Sequence, residues 1–250
     1  MGEFTDKVVL ITGAARGIGR ELALAFASLG AQVAVNDINP LGLDETVSLL
    51  QQAGGVVRSY IFDVAKRMPI EGMLAQVQDH FGRLDVLVNH AAVQPDAALL
   101  EMDEWEFHRT LDVNLGGPYF TMQLAGRVMR EQGGGSIINL VSFPDRGQFT
   151  KGYTAVSASL TGLLGLTRPA ASELGPYHVR VNAVCCGEPF MPGTPHAAAE
   201  LPGLQGWVSS LPKLKTGDHP EVDHLVLFLC SLEAETLTGQ IFVRNTDGQA

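Results

Sequence analysis

Short β-branched runs separated by longer stretches of helical periodicity constrain this chain more than any other feature. KVVLIT at 7–12 reads as a buried strand, followed by a helix to about Ser28 and a second strand, AQVAVND, at 31–37. VVRSYIFDV (56–64), LDVLVN (84–89), GSIINLVS (135–142) and VRVNAV (179–184) continue the series, and IFV at 241–243 closes it. Near-continuous apolar strands belong to parallel sheets, because crossover helices cover both faces. The alternation predicts an α/β chain with a doubly wound parallel sheet of about seven strands, in one domain over 1–250. A Pro- and Gly-rich stretch at 187–217 breaks the pattern after the sixth strand. Such sheets bind ligands at the carboxyl ends of their strands, so this stretch reads as a substrate loop or lid.

Composition narrows the partners. Charged residues make up 18% and hydrophobic ones 46%, against a usual charged share of about 25%, which excludes a disordered chain. The net charge of −10 opposes nucleic acid and anionic membranes, whose phosphates it repels. No run reaches the ~18 apolar residues of a membrane span, and Glu3 and Asp6 stand where a secretory signal is basic. Cys185, Cys186 and Cys230 are an odd set with no disulfide framework, so buried thiols in a reducing cytoplasm are expected. Without Cys or His partners at ligand spacing, no metal site is expected. So little charge on so apolar a chain points to burial between subunits.

The first strand runs directly into TGAARGIG, with Gly13, Gly17 and Gly19. Glycines there let the backbone turn tightly and approach a pyrophosphate, and the helix that follows offers N–H groups and the positive end of its dipole. Asp37 ends the second strand, 18 residues beyond Gly19, where a carboxylate accepts hydrogen bonds from adenosine ribose hydroxyls. Its charge repels a 2′-phosphate, so NAD is expected and NADP is less favoured. Arg16 pulls the other way, as a phosphate partner, but a mobile Arg regains less than the carboxylate's repulsion of a dianion.

These residues and several others resemble the short-chain dehydrogenase/reductase family over nearly the whole chain. TGAARGIG matches the family's TGxxxGIG, Asp63-Val64 its adenine-contacting dipeptide, and Asn114 in LDVNLGG its helix-four Asn. Asn89-His90-Ala91-Ala92 resembles NNAG with departures at His90 and Ala92, and VRVNAVCCG resembles RVNxVxPG with Cys186 in place of Pro. The C-terminal KTGDHPEVDHLVLFLCS and LTGQIFV resemble its last helix and strand. The resemblance implies a Rossmann-like fold and an NAD site on Gly13, Arg16, Gly17, Ile18, Gly19, Asp37, Asp63, Val64, Asn89, Ala91 and Gly187. It also implies a small alcohol or carbonyl ligand, and subunit pairing through 105–124 and 158–167. His90 itself reads as a packed or capping histidine.

The family's chemistry rests on Asn, Ser and a Tyr-xxx-Lys pair. Asn114 and Ser142 match the first two, and the third is where the pattern breaks. VSASLTGLLGLTR at 156–168 resembles YSASKAAxxGLTR residue for residue, which puts Val156 at the Tyr position and Leu160 at the Lys position. The other register takes Tyr153, four residues before Ser157, and requires an insertion within a helix. Neither supplies the Lys. The first reading makes the chain a weak or inactive oxidoreductase with a binding or regulatory role. The alternative is an active oxidoreductase on an alcohol or ketone, using Tyr153 or a water with Ser142 and Asn114, and Lys151 as a source of charge. Pro169 should kink or divide a helix running from about Val156 to Leu174.

Overall fold

The computed structural model describes residues 2–142, 152–186, 203–210 and 220–244. Strand β1 (Val8–Thr12) is wholly buried and pairs with β2 (Gln32–Asp37), Val9 opposite Val33 and Ile11 opposite Val35. β3 (Val56–Ile61) lies outside β2, while β4 (Val86–Asn89), β5 (Gly135–Ser142), β6 (Val179–Cys186) and β7 (Ile241–Arg244) extend from the other side of β1. All seven run parallel in the order β3-β2-β1-β4-β5-β6-β7, the single-domain doubly wound sheet that the alternation predicts. The order turns back between β1 and β4, which opens a crevice at the strands' carboxyl ends.

The two-residue period of β1 divides the core into two layers. Val9 and Ile11 pack with Leu22 and Phe26 of helix α1 (Gly17–Ser28) and with Leu225 of a late helix at Pro220–Cys230. Val8 and Leu10 pack on the opposite face with Ile70, Met122 and Leu163. These come from α3 (Arg67–Phe81), α5 (Gly117–Gln132) and α6 (Tyr153–Leu174); α2 (Pro40–Gln52) links β2 to β3 on the α1 side. α4 (Glu104–Leu111) joins α5 through a π-helical turn, Asp112–Gly116. The remaining helices are α7 (Leu204–Ser210) and α8, the Pro220–Cys230 segment. No helix among the described residues is long and apolar enough to cross a membrane.

Three expectations about element ends need correction. β3 stops at Ile61 rather than at 64, because Asn36 Nδ2 donates to the carbonyls of both Tyr60 and Phe62, and Asp63 turns to accept from the Ala65 amide at 2.9 Å. α6 starts at Tyr153, before Val156. Gly152 precedes it at φ 82°, a conformation only glycine adopts cheaply, and a Cβ there would collide with the Pro95 carbonyl oxygen. Finally, Pro169 does not divide α6, which continues through it to Leu174. The hydrogen bond that proline removes would have gone to Gly165, and both residues are exposed, which leaves the freed carbonyl open to solvent. Most of the 187–217 segment lies outside the described residues.

At the opposite end of the sheet Asp85 ties β1 to β4. It is 8% exposed and accepts from Arg83 Nε at 2.7 Å and Nη2 at 2.6 Å, from the Val8 amide at 2.9 Å and from Lys7 Nζ at 3.3 Å. Burial pushes its carboxyl upward, but the Arg83 and Val8 hydrogen bonds and the Lys7 charge outweigh it and hold the group below its ordinary value. A depressed folded-state pKa gives stability that is present above the unfolded value of about 4 and lost as pH falls through the folded one. Asp85→Asn should therefore lower stability by about 1–2 kcal/mol at neutral pH, allowing for the exposed faces of Arg83 and Lys7. In urea melts the gap between variant and wild type should narrow on acidification; a gap independent of pH would refute the linkage.

Candidate dinucleotide site

The crevice holds a cavity of about 890 Å³, lined by residues that follow β1, β2, β3 and β4 and by the end of β5. Its entrance from β1 is built on glycine. Gly13 adopts φ 72°, and a Cβ there would stand 2.8 Å from Ala91 Cα. Gly17 adopts φ 55° in open space. Gly19 touches Gly13: a Cβ on it would strike the Gly13 carbonyl oxygen and come within 2.9 Å of His90 Cδ2. Arg16 sits in extended backbone just before α1 and caps nothing with its side chain, so the first amides of the helix stay free for an anion. Thr12 fastens the floor by accepting from the amides of His90 at 3.0 Å and Ala91 at 3.2 Å.

Asp37 is oriented before any ligand arrives. One carboxylate oxygen accepts from the Ala15 amide at 3.1 Å and the other from the Asn39 amide at 3.0 Å. Each oxygen keeps lone pairs for hydroxyls, and Asp37 lines the cavity with Arg16, Gly17 and Ile18. Asp63 and Val64 line it as well. Asp63 Oδ2 accepts from Arg109 Nη1 at 2.7 Å, a pairing that the sequence motifs do not reveal, since Arg109 lies 46 residues away on α4. Burial pushes the Asp63 carboxyl up, but the Arg109 bond, the Ala65 amide and the Arg109 and Lys66 charges bring it below its usual value.

Not every expected residue reaches the cavity surface. Ala91 lines it, but Asn89 is 2% exposed and lies beneath. Its amide donates to Asn139 Oδ1 at 3.0 Å and its oxygen accepts from Thr121 Oγ1 at 2.6 Å, so it stitches β4 to β5 and α5. His90 lines the cavity, packed against Gly19, and burial lowers its pKa to about 4 against a smaller upward pull from Asp37. A neutral imidazole results at physiological pH. Gly187 and Lys151 lie outside the described residues.

At the far wall Ser142 ends β5 with its side chain exposed to the cavity. Asn114 lies in the π-helical turn, a distortion that recurs at functional sites. Its side chain is fully engaged: Oδ1 accepts from the Val93 amide at 2.8 Å, and Nδ2 donates to the Val93 carbonyl at 2.9 Å and to Ser159 Oγ at 3.2 Å. Asn114 thus braces the 91–93 segment against α6. Val156 and Leu160, one turn apart on α6, line the same cavity as Ser142. Tyr153, at the start of that helix, is half-buried against the apolar layer beneath and is not among the lining residues. Cys185 and Cys186 are buried, and desolvation pushes both thiols up to about 12, a hydrogen bond from Ser142 only partly offsetting this at Cys186. Neither acts as a thiolate. Among the described residues no group of three His, Cys, Asp or Glu side chains could hold a metal ion.

Residues 13–246 match the family described as enoyl-(acyl carrier protein) reductase. The 3-oxoacyl-[acyl-carrier-protein] reductase of Thermotoga maritima is 37% identical over 239 residues, covering 94% of each chain. A short-chain type dehydrogenase/reductase from Mycobacterium marinum superposes with a TM-score of 0.80 at 32% identity, over 97% of this chain and 95% of that one. A 7α-hydroxysteroid dehydrogenase, solved with NADH and 7-oxo glycochenodeoxycholic acid, gives a TM-score of 0.80 at 27% identity over 98% of this chain and 95% of that one. With a glycine loop at the turn of a doubly wound sheet and matches of this extent, the chain belongs to the short-chain dehydrogenase/reductase family of oxidoreductases.

Proposed function

We propose that this protein binds NAD(H) but has lost most or all of the family's proton transfer, leaving a binding, sensing or pairing role. One observation carries the reading: the side chains of Val156 and Leu160 line the cavity that Ser142 also lines. Valine has no proton to give or take, and leucine offers neither charge nor donor. A nicotinamide dinucleotide, when bound, supplies or accepts hydride. The chain's own contribution is to seat it: the Gly13–Gly19 turn receives a pyrophosphate, Asp37 accepts from ribose hydroxyls, and Asp63 stands at the adenine end. The glycine cradle and the oriented carboxylate fit the adenosine half of such a ligand. Ser142 can hydrogen-bond a small alcohol or carbonyl ligand, of the kind carried by the hydroxysteroid relative with its 7-oxo steroid. Alone, however, it lacks a partner to move a proton.

Exposed aromatic side chains within the 105–124 stretch, Trp105 at 71%, Phe107 at 40% and Tyr119 at 45%, support a homodimer or homotetramer. Free thiols among the described residues fit a cytoplasmic setting.

The test pairs binding with turnover. Wild-type protein should bind NADH and NAD, and NADP about tenfold or more weakly, because the Asp37 charge faces the 2′-position. With a panel of alcohols and ketones, absorbance of the reduced cofactor should stay at background. Turnover abolished by Tyr153→Phe would overturn the reading in favour of a Tyr153-dependent enzyme. Tighter binding of NADP would overturn the role given to Asp37.

A further inference from the structure

Among the described residues the charged side chains that line the cavity stand in one of its two halves. Around the carboxyl ends of β1, β2 and β3 stand the free amides before α1, Asp37 with both oxygens oriented, Arg16, and the Asp63–Arg109 pair. Around β5 and α6 the wall is Leu140, Val156 and Leu160, while Val93 and Val113 pack with Val64 and Ala65 after β3. Beyond the His90 ring, which packs against Gly19, the described polar side chains on that side are Ser142, Gln94 and Asn114, and the Asn114 amide is held by Val93 and Ser159.

Resting on the reading that this cavity takes an NAD-type ligand, we infer that recognition is confined to the ADP half and that ADP itself is a ligand. The nucleotide binds through its adenosine and pyrophosphate. The second ribose and nicotinamide exchange water for an aliphatic wall. Among the described residues no cationic donor meets the two ribose hydroxyls there, and a polar group taken from water without a partner is penalised. Apolar packing of the ring offsets that penalty, so the second nucleoside adds little. The site then responds to adenine nucleotides as a class rather than to the redox state of one of them.

Calorimetric titration of the full chain with ADP, NAD and nicotinamide mononucleotide, at one ionic strength, tests this. ADP and NAD should bind within about tenfold of each other, and nicotinamide mononucleotide should give no binding heat at millimolar concentration. Leu160→Lys should restore a donor to the second ribose, raising the NAD-to-ADP affinity ratio at least about fivefold while ADP affinity, the check on folding, stays level. Should the lysine variant not fold, Leu160→Gln carries the same test in the same direction with a neutral donor. NAD binding more than tenfold tighter than ADP overturns the inference and leaves the dinucleotide reading standing. A ratio unmoved by the position 160 variants also overturns it. If neither ADP nor NAD binds, the dinucleotide reading itself falls.

Discussion

A double variant, Val156→Tyr with Leu160→Lys, should turn over NADH and ketones at least about a hundredfold faster than wild type, the low end of what general acid–base catalysis contributes. Both side chains pack in the buried layer beneath the cavity and also line it, so the larger replacements have the cavity to extend into. A tyrosine hydroxyl at its ordinary pKa of about 10 is a poor base at neutrality, and lowering it by roughly 3 units requires about 4 kcal/mol. The lysine ammonium, four residues on and therefore on the same face of α6, supplies part of that field. The two changes should accordingly be strongly non-additive: Val156→Tyr alone should give little, and Leu160→Lys alone nothing. Progress curves for the four proteins, followed by loss of NADH absorbance, decide it. A double variant that binds NADH yet stays at background would show that position 156 does not address the reacting centre.

Gly19→Ala should have the other large effect, on binding and on folding together. Its new methyl would meet the Gly13 carbonyl, which is backbone and cannot swing aside, and would press on the His90 ring. Overpacking of this kind costs about 1–3 kcal/mol, and relief requires moving the turn that receives the pyrophosphate. Nucleotide affinity should fall by about a hundredfold. Gly17→Ala makes a sharp contrast. That glycine has a positive φ of 55° but no neighbour within 4 Å, so alanine there incurs only a conformational penalty of about 1–2 kcal/mol. Thermal melts with and without ADP should rank wild type above Gly17→Ala above Gly19→Ala. The reverse order for the two variants would mean that φ, not contact, dictates glycine in this loop.

Much of the frame was legible because period and punctuation are local. Seven apolar runs announced seven strands, and the spacing from Gly19 to Asp37 placed a carboxylate at the mouth of the crevice. What escaped was set by partners distant in sequence. The end of β3 depends on Asn36 reaching two carbonyls, and the start of α6 on Gly152 lying against Pro95. Asn89 shares its motif with cavity residues, yet its orientation is fixed by Asn139 and Thr121, which put its side chain under the floor. Arg109 carries no motif that marks it. It could be found only from the fold, which brings α4 beside the residues that follow β3.

That pairing alters the electrostatic character of the adenosine end. Two carboxylates flank it, and a ligand bearing several negative charges would ordinarily meet a repulsive gate. Arg109 cancels one of them at 2.7 Å, and the cation of Arg16 lines the same cavity as the other, Asp37. An acidic protein with a net charge of −10 therefore keeps a nearly neutral doorway, through which a polyanion can pass while the rest of the surface turns polyanions away.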